Sequence, residues 1–266
     1  MRTFAINGQW ADQEHPLGRS EALQFGAGLF ETIRVQEGRP LHWEAHMARL
    51  TASAQTLGFP VLPDPLQLKA WTEHLLSEGA PARCALKLVW HADGQLGQGL
   101  FYFRELDYGA AERKRGLRVC LGRIRRNPDS HITGHKTLNY LDNLLERRWA
   151  KAQGFHEALL VNTRGEAAEG TASNLFLRLD GGLLTPPAET GLLPGIQRQA
   201  VLEACRQAGI PCREAVVGLK QLLEAEGLFL TNSLMGFMPV SEFLGTCYDR
   251  DDALVDTLNQ LTGICD

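Results

Sequence analysis

Short runs with strand-like alternation and longer runs with helical spacing follow one another along the whole chain. Leu29–Val35 has the alternation of a half-buried strand and precedes Glu37-Gly38-Arg39-Pro40, a pattern typical of a hairpin turn. Apolar residues at helical spacing predict helices over Glu44–Leu57, Pro65–Ser77, Asn139–Gln153, 196–208 and Ala253–Leu261. Because the strands and helices mix without strict strand–helix–strand alternation, the pattern favours an α+β fold.

A polar segment divides the chain into two predicted domains. Residues 122–130 read GRIRRNPDS and include Asn127-Pro128, a dipeptide typical of turns and loops. We therefore predict an N-terminal α/β domain over 1–121, an interdomain linker over 122–130 and a C-terminal domain over 131–266. The basic cluster in this linker is predicted to be solvated; it comprises Arg123, Arg125 and Arg126.

Composition excludes several classes of function. The 266 residues are 44% hydrophobic and 22% charged, and the net charge of −4 with interspersed signs speaks against a nucleic-acid partner. No apolar run approaches the roughly 20 residues that cross a bilayer, which predicts a cytoplasmic protein without a membrane partner. The six cysteines form no CxxC pair, so we expect neither a metal site nor a disulfide framework.

Two residues are candidates for covalent and acid–base chemistry. Lys136 stands in His135-Lys136-Thr137-Leu138-Asn139, at the start of a predicted helix, and a lysine that attacks an aldehyde must be buried enough to be neutral. Glu169 precedes a run of small residues, Gly170-Thr171-Ala172-Ser173, where a flat ring could lie. Taken alone, each residue also fits an ordinary exposed position on the surface.

Three further stretches could bind a phosphate. Arg49 can offer a bidentate guanidinium, and Gly195-Ile196-Gln197 can offer the free amides of a helix N-terminus. Thr231-Asn232-Ser233 can add a hydroxyl. A surface arginine, a Pro-Gly helix start and a polar loop are the structural alternatives for these stretches.

Taken together, the motifs carry a family resemblance. They are, in order, Ile6-Asn7-Gly8, 24–34, 46–50, 136–139, 169–176, 193–198 and 231–240. In this set and order the chain resembles the fold-type IV enzymes that depend on pyridoxal 5′-phosphate (PLP), a family that includes branched-chain and D-amino-acid aminotransferases and 4-amino-4-deoxychorismate lyase. The resemblance implies two α/β domains of the D-amino-acid aminotransferase-like fold with PLP at their interface, the C-terminal domain binding it. It also implies a homodimer whose partner chain helps to close the pocket.

The resemblance assigns roles to individual residues. It implies that Lys136 is the Schiff-base lysine and the catalytic residue. Glu169 would contact the ring nitrogen of PLP, because a protonated pyridinium is the better electron sink. The cofactor phosphate would be held by Arg49, the amides of Ile196 and Gln197, and Ser233.

Within the family, three features resemble the lyase most. Asn139 lies three residues after Lys136, a strand reads Thr32-Ile33-Arg34-Val35, and Arg126-Asn127-Pro128 precedes the lysine. We therefore expect a lyase that converts 4-amino-4-deoxychorismate to 4-aminobenzoate and pyruvate, in folate precursor synthesis. The alternatives are an aminotransferase that uses 2-oxoglutarate with branched-chain or D-amino acids, and a non-catalytic PLP carrier.

One segment departs from the lyase pattern. A glycine loop with arginines is expected after Leu86-Lys87-Leu88-Val89, to bind the carboxylates of the substrate, but residues 91–99 contain no arginine. The substrate would then depend on other cations, and we expect Arg34 and Lys87 to bind it, with Arg104 as a further candidate.

Overall fold

A computed structural model describes residues 5–6, 9–10, 21–79, 81–93, 96–106 and 108–264. The first half contains the elements β1 (Ala5–Ile6), β2 (Gln9–Trp10), α1 (Glu21–Phe25), β3 (Gly28–Gln36), β4 (Arg39–Pro40), α2 (Trp43–Leu57), α3 (Pro65–Ser77), β5 (Cys84–Asp93), β6 (Leu96–Arg104) and α4 (Ala110–Arg115). Asn7 and Gly8, which belong to the first motif of the family resemblance, lie outside the described residues, and the strands β1 and β2 pair antiparallel.

The second half begins with the longest strand of its sheet. Its elements are β7 (Leu117–Arg126), α5 (Leu141–Ala152), β8 (Glu157–Asn162), β9 (Ala167–Gly170), β10 (Asn174–Leu179), β11 (Gly182–Thr185), a 3-10 turn (Ala188–Thr190), α6 (Ile196–Ala208), β12 (Cys212–Glu214), α7 (Leu219–Glu224), β13 (Gly227–Asn232), β14 (Gly236–Phe243), β15 (Thr246–Cys247) and α8 (Asp252–Leu261).

The smaller sheet has the order β4-β3-β5-β6 and is antiparallel. Helix α2 covers one face of it with the buried side chains of Trp43, Met47 and Leu50, which join Ile33 and Leu86 in one apolar core. The predicted hairpin after β3 is present, and both of its central residues, Glu37 and Gly38, have positive φ (52° and 71°). That conformation matches the twist of two paired strands.

The larger sheet has nine strands and curls on itself. Its order is β12-β11-β10-β13-β14-β7-β8-β9, with β15 at the edge of β14, and β9 also pairs with β10 through Glu169 and Asn174. The mixed sheets and flanking helices confirm the α+β class. Leu159, Leu175, Leu230 and Met238 belong to the main apolar core of this half.

Two boundaries differ from the sequence prediction. The segment predicted as a linker over 122–130 is in large part strand, because β7 continues to Arg126 with β14 on one side and β8 on the other. The chain leaves the small sheet at Arg104 and enters the large one at Leu117, before the predicted end of the first domain at 121. Gly122 allows the strand to continue there, since a Cβ atom at this position would lie 2.6 Å from Leu160. The division into two domains itself stays a prediction.

The segment 91–99 also differs in structure from the glycine loop that the lyase pattern predicts. Strands β5 and β6 pair as far as Asp93 and Leu96, so most of this segment is a hairpin. Within the part of the chain that the structure describes, no helix is long and apolar enough to cross a membrane.

Candidate active site

A cavity between the two sheets brings together most of the predicted site residues. Among its lining residues are Arg49, Lys87, Lys136, Glu169, Ile196, Gln197 and Ser233. They come from sequence positions almost 200 residues apart, so the fold assembles the site from both halves of the chain.

The Lys136 segment is fixed against the small sheet. The Phe30 amide donates to the Lys136 carbonyl (2.8 Å), and the Leu138 amide donates to the Gly28 carbonyl (2.8 Å). The segment thus adds one antiparallel bridge to β3. It directs Lys136 Nζ to 4.4 Å from the ring centre of Phe30 and 5.1 Å from that of Tyr140.

Burial makes Lys136 a weak base for a lysine. Desolvation, followed by the positive charge of Arg49, lowers the pKa of Lys136 from 10.5 to about 7, although Glu31 and Glu169 act in the opposite direction. A large fraction of the amine is therefore neutral near pH 7. A neutral amine can form a covalent bond to an aldehyde and can accept a proton from carbon.

Glu169 is held at the end of β9 by contacts to its two oxygens. Oε2 accepts from the Leu193 amide (2.9 Å) and from Asn174 Nδ2 (3.5 Å). Oε1 lies 2.8 Å from Arg126 Nη2, but the N–H is not aligned with it, so Oε1 has no hydrogen-bond donor among the described residues. Burial raises the pKa of Glu169, and the charge of Arg126 lowers it, with a net rise.

The turn of small residues after Glu169 is organised by a second buried carboxylate, Glu157. Its side chain accepts from the amides of Thr171 (3.1 Å) and Ala172 (3.2 Å) and from the hydroxyls of Thr171 and Ser173. The turn is therefore fixed before any ligand binds. Thr171, Ala172 and Ser173 all line the cavity and form a narrow wall beside Glu169.

Arg49 is oriented by a buried network. Its Nε and Nη2 donate to the two oxygens of Glu31 (2.8 and 2.6 Å), and its Nη1 donates to the Pro194 carbonyl (2.9 Å). His46 Nδ1 donates to Glu31 Oε2 (2.7 Å). Burial alone would raise the pKa of Glu31, but the charge of Arg49 and the contacts with His46 lower it to about 2. Burial also lowers the pKa of His46.

The N-terminus of α6 closes the same end of the cavity. No side chain caps this helix at Gly195, so the amides of its first turn are available to an anion. A Cβ atom at Gly195 would lie 1.9 Å from Asn174 Oδ1, which explains the requirement for glycine. Nearby, the buried Thr231 hydroxyl lines the cavity and has no hydrogen-bond partner in the described residues.

The two residues predicted to bind the substrate have different surroundings. Lys87 lines the cavity, with Nζ 3.5 Å from the ring centre of Phe30, the ring that Lys136 also contacts. Burial and the nearby charge of Arg104 lower the pKa of Lys87 to about 8. Arg34 does not line the cavity: its side chain is buried, and Nη1 donates to the Leu234 carbonyl (2.7 Å). Arg34 thus holds the turn that presents Ser233.

Several site residues were not identified from the sequence. Arg126 was assigned to a solvated linker, yet its side chain is 16% exposed, pairs with Glu169 and donates to the Gly191 carbonyl. Arg147 also lines the cavity and has the appearance of a polar surface residue in the sequence. The signal in the sequence that could have located Arg147 is its helical spacing from Tyr140, Asn143 and Leu144. Residues at this spacing lie along one stripe of a helix.

Comparison with known proteins agrees with this geometry. The model of the amino-transferase class IV family matches residues 28–243. The chain belongs to this family. The match runs from the first residue of β3 to the last residue of β14, so it contains the whole cavity.

The chain has the same sequence identity to family members that are named for different reactions. It is 30% identical over 250 residues to the aminodeoxychorismate lyase of Vibrio harveyi, covering 90% of each chain. It is also 30% identical over 213 residues to the protein of Thermotoga maritima named probable branched-chain-amino-acid aminotransferase, covering 80% of this chain and 76% of the other. A solved structure named hypothetical aminotransferase of Mycobacterium tuberculosis, PLP-bound form, superposes with a TM-score of 0.82 at 26% identity over 96% of each chain.

The class IV family depends on PLP, and the cavity fits this cofactor. An orphaned carboxylate oxygen on Glu169 can accept from a ring N–H, and the orphaned Thr231 hydroxyl can donate to a phosphate. The uncapped α6 and the positioned Arg49 lie at the same end. Lys136 offers an amine whose pKa suits covalent attachment. The chain is therefore an enzyme of the PLP-dependent fold-type IV class.

Proposed function

We propose that this class IV enzyme is a lyase that converts 4-amino-4-deoxychorismate to 4-aminobenzoate and pyruvate, a step of folate precursor synthesis. The observation that carries the proposal is the composition of the cavity. It places Lys136 and Glu169 beside three further cations, Lys87, Arg104 and Arg147. The substrate of the lyase carries two carboxylates, whereas a branched-chain amino acid carries one and an aliphatic side chain.

The cofactor would be held by residues already described. Lys136 would bind it covalently, and Glu169 Oε1 would accept from the ring nitrogen. Arg49, the amides of Ile196 and Gln197, and Ser233 would hold its phosphate. Bound PLP supplies an electron sink for the negative charge that remains when a proton leaves the carbon bearing the substrate's amine.

Lys136 is the group that moves protons. With cofactor and substrate bound, its neutral Nζ would take the proton from the carbon that bears the substrate's amine, because burial lowers the pKa of Lys136. The bond between the ring carbon and the enolpyruvyl oxygen then breaks, and the ring becomes aromatic. Lys136 returns the proton to the methylene carbon of the departing group, which becomes the methyl group of pyruvate. Atoms and electrons balance without an oxidant or water.

Lys87 is placed to hold a substrate carboxylate close to this proton transfer. Lys87 and Lys136 both contact the Phe30 ring, with their Nζ atoms 3.5 and 4.4 Å from its centre. The charge of Lys87 also lowers the pKa of Lys136. We expect Arg104, whose charge acts on Lys87, to contribute to the same carboxylate.

An aminotransferase is the second candidate. The similarity to the Thermotoga maritima protein supports it, and 2-oxoglutarate, its expected amino acceptor, also carries two carboxylates that suit the cationic cavity. Both reactions begin with the same proton transfer to Lys136. They differ in where Lys136 would deliver this proton afterwards, and only the lyase needs it on the departing enolpyruvyl group.

We also expect a homodimer in the cytoplasm. An exposed row of leucines on α5 supports the dimer: Leu141 is 62% exposed, Leu144 43% and Leu145 48%. Leu144 also lines the cavity, so a second subunit on this row would cover the cavity mouth.

The decisive experiment compares the two reactions in one preparation. The holoenzyme is incubated either with 4-amino-4-deoxychorismate or with 2-oxoglutarate and a panel of branched-chain and D-amino acids. We expect 4-aminobenzoate and pyruvate in equal amounts from the first, and none from a Lys136→Ala control. Rapid glutamate formation without 4-aminobenzoate would refute the lyase. Borohydride reduction and peptide mapping should give one adduct, on Lys136; its absence would refute the covalent assignment.

A further inference from the structure

The charge of the cavity exceeds what the cofactor requires. Five basic side chains and one acidic one, Glu169, are among the residues that line it. Arg49 is assigned to the cofactor phosphate and Lys136 to its covalent attachment. Neither of these roles involves Lys87, Arg104 or Arg147, which line the same cavity and add three basic side chains to it. A cleft lined mainly by basic groups suits an anionic substrate with more than one charge.

Arg147 stands apart from the other two cations. Lys87 and Arg104 lie on neighbouring strands of the small sheet, β5 and β6, whereas Arg147 lies on α5 in the other half of the chain. Residues 140, 143, 144 and 147 all line the cavity. This spacing is that of one helical stripe, so Arg147 continues the wall that Tyr140 begins.

Tyr108 fixes the direction of the Arg147 guanidinium. Arg147 Nη2 donates to the Tyr108 hydroxyl over 2.8 Å. The Tyr108 ring packs against the main apolar core of the large sheet, and Tyr108 itself lines the cavity. A planar guanidinium held along one edge by a packed tyrosine is a preorganised partner for a carboxylate.

We propose that Arg147, oriented by Tyr108, is the specificity-determining residue that binds the second carboxylate of the substrate, on the α5 wall of the cavity across from Lys87 and Arg104. The identity of the substrate in this assignment rests on the proposed function. Its dianionic class does not. It supplies, from helix α5, the arginine that the segment 91–99 lacks.

The test is a binding measurement on the holoenzyme with two unreactive probes, isophthalate and benzoate, which differ by one carboxylate. Calorimetry gives their dissociation constants for the wild type, Arg147→Met, Arg147→Lys and the matched control Arg148→Met. Arg148 is the neighbouring arginine on α5, is exposed and does not line the cavity.

The wild type should bind isophthalate at least about 10-fold more tightly than benzoate, a ratio that one charge-assisted pair supports. Arg147→Met should bring this preference close to one, and Arg147→Lys should restore it in part. Arg148→Met should keep the full preference. With 4-amino-4-deoxychorismate, Arg147→Met should raise KM by about 10- to 100-fold with a smaller change in kcat.

An unchanged preference in Arg147→Met would overturn the assignment, and so would a wild type that binds both probes equally. The cofactor absorption spectrum of each variant reports whether it folds and binds PLP, and Arg147→Lys serves as the second variant if the methionine variant does not fold. If the wild type forms no 4-aminobenzoate but its preference for isophthalate disappears with Arg147, the lyase fails and the carboxylate site stands.

Discussion

Arg126 Nη2 lies 2.8 Å from Glu169 Oε1, and this ion pair is the main opposition to the rise that burial imposes on the pKa of Glu169. The pair links β7 to β9, next to the cavity that Glu169 lines. Arg126 also donates to the Gly191 carbonyl (2.9 Å) and to Asn143 Oδ1 (3.1 Å), so its position is fixed from three sides. The ionised state of Glu169 therefore depends on a residue of the predicted linker.

Replacing Arg126 with methionine should move the acidic limit of activity to higher pH. Without the guanidinium the pKa of Glu169 rises further, and a protonated Glu169 lacks the negative charge that would keep the cofactor ring nitrogen protonated. We also expect a loss of about 3 kcal/mol in the free energy of unfolding, because a buried charge loses its partner. The pH profile of kcat and urea unfolding measure the two effects. The control is Arg125→Met, an exposed neighbour on the same strand; an identical pH profile for both variants would contradict the prediction.

Attachment of PLP to the apoenzyme should follow the titration of Lys136. The rate should rise with pH with a midpoint of about 7, because only the neutral amine attacks the aldehyde, and it should level off above that pH. Stopped-flow absorbance measures this rate. The charge of Lys87 lowers the pKa of Lys136, so Lys87→Met should shift the midpoint upward. A midpoint near 10 in the wild type would show that Lys136 is not desolvated.

Thr231→Val should separate cofactor binding from stability. The hydroxyl has no partner in the described residues, so its loss should leave the apoenzyme as stable or slightly more stable. The dissociation constant of PLP should increase by about 10-fold if the hydroxyl binds the phosphate.

The matched control for this substitution is Thr185→Val. The Thr185 hydroxyl is buried and does not line the cavity; it donates to the Leu175 carbonyl (2.7 Å) and accepts from Arg198 Nε (3.1 Å). This variant should lose about 2 to 3 kcal/mol of apoenzyme stability, because two hydrogen bonds are lost, and keep its PLP affinity. Equal PLP affinity in both variants would remove Thr231 from the phosphate site.

Glu31→Gln should lower the stability of the folded protein at neutral pH and weaken cofactor binding. The pKa of Glu31 is about 2 in the folded protein and about 4.5 unfolded, so its contribution is complete above pH 4.5 and is lost as the pH falls towards 2. The variant should be less stable at neutral pH by about 3 kcal/mol, and the difference from the wild type should shrink between pH 4.5 and 2. PLP affinity should fall because Arg49 loses its orientation.

Thermal unfolding across this pH range, with PLP titrations at pH 7, tests the Glu31 prediction. Glu44→Gln is the control on helix α2, which packs against the same small sheet, since the Glu44 side chain is 83% exposed. A constant difference in stability from pH 7 to pH 2 would mean that the carboxylate charge has no part in it.

Local sequence patterns predicted the regular elements well and the buried polar partners poorly. The Pro65–Ser77 helix has the bounds that its sequence predicts, because helix capping and apolar spacing are local properties. Lys136, Glu169 and Arg49 were found through motifs. Arg126 was missed because a basic run with Asn-Pro has the composition of a loop. Arg126 is buried because β7 continues to this residue and pairs there with Asn162 of β8, a contact that no local pattern predicts.

Arg147 illustrates the same difficulty on a helix. Hydrophobic spacing assigns the polar residues of α5 to solvent, and for Arg148 that assignment holds. A polar stripe that faces an internal cavity has the same sequence pattern as one that faces water. The two cases can be distinguished only when it is known what faces the helix, here Tyr108 and the small sheet.

The bridge between the Lys136 segment and β3 has a consequence for biosynthesis of the enzyme. Its two hydrogen bonds join residues more than 100 positions apart, so they form late, after both halves of the chain have collapsed. Until then the Lys136 amine is hydrated and fully protonated, like any other lysine. In the nascent chain Lys136 therefore reacts with cellular carbonyl compounds no faster than other lysines, and its enhanced reactivity arises only with the completed fold.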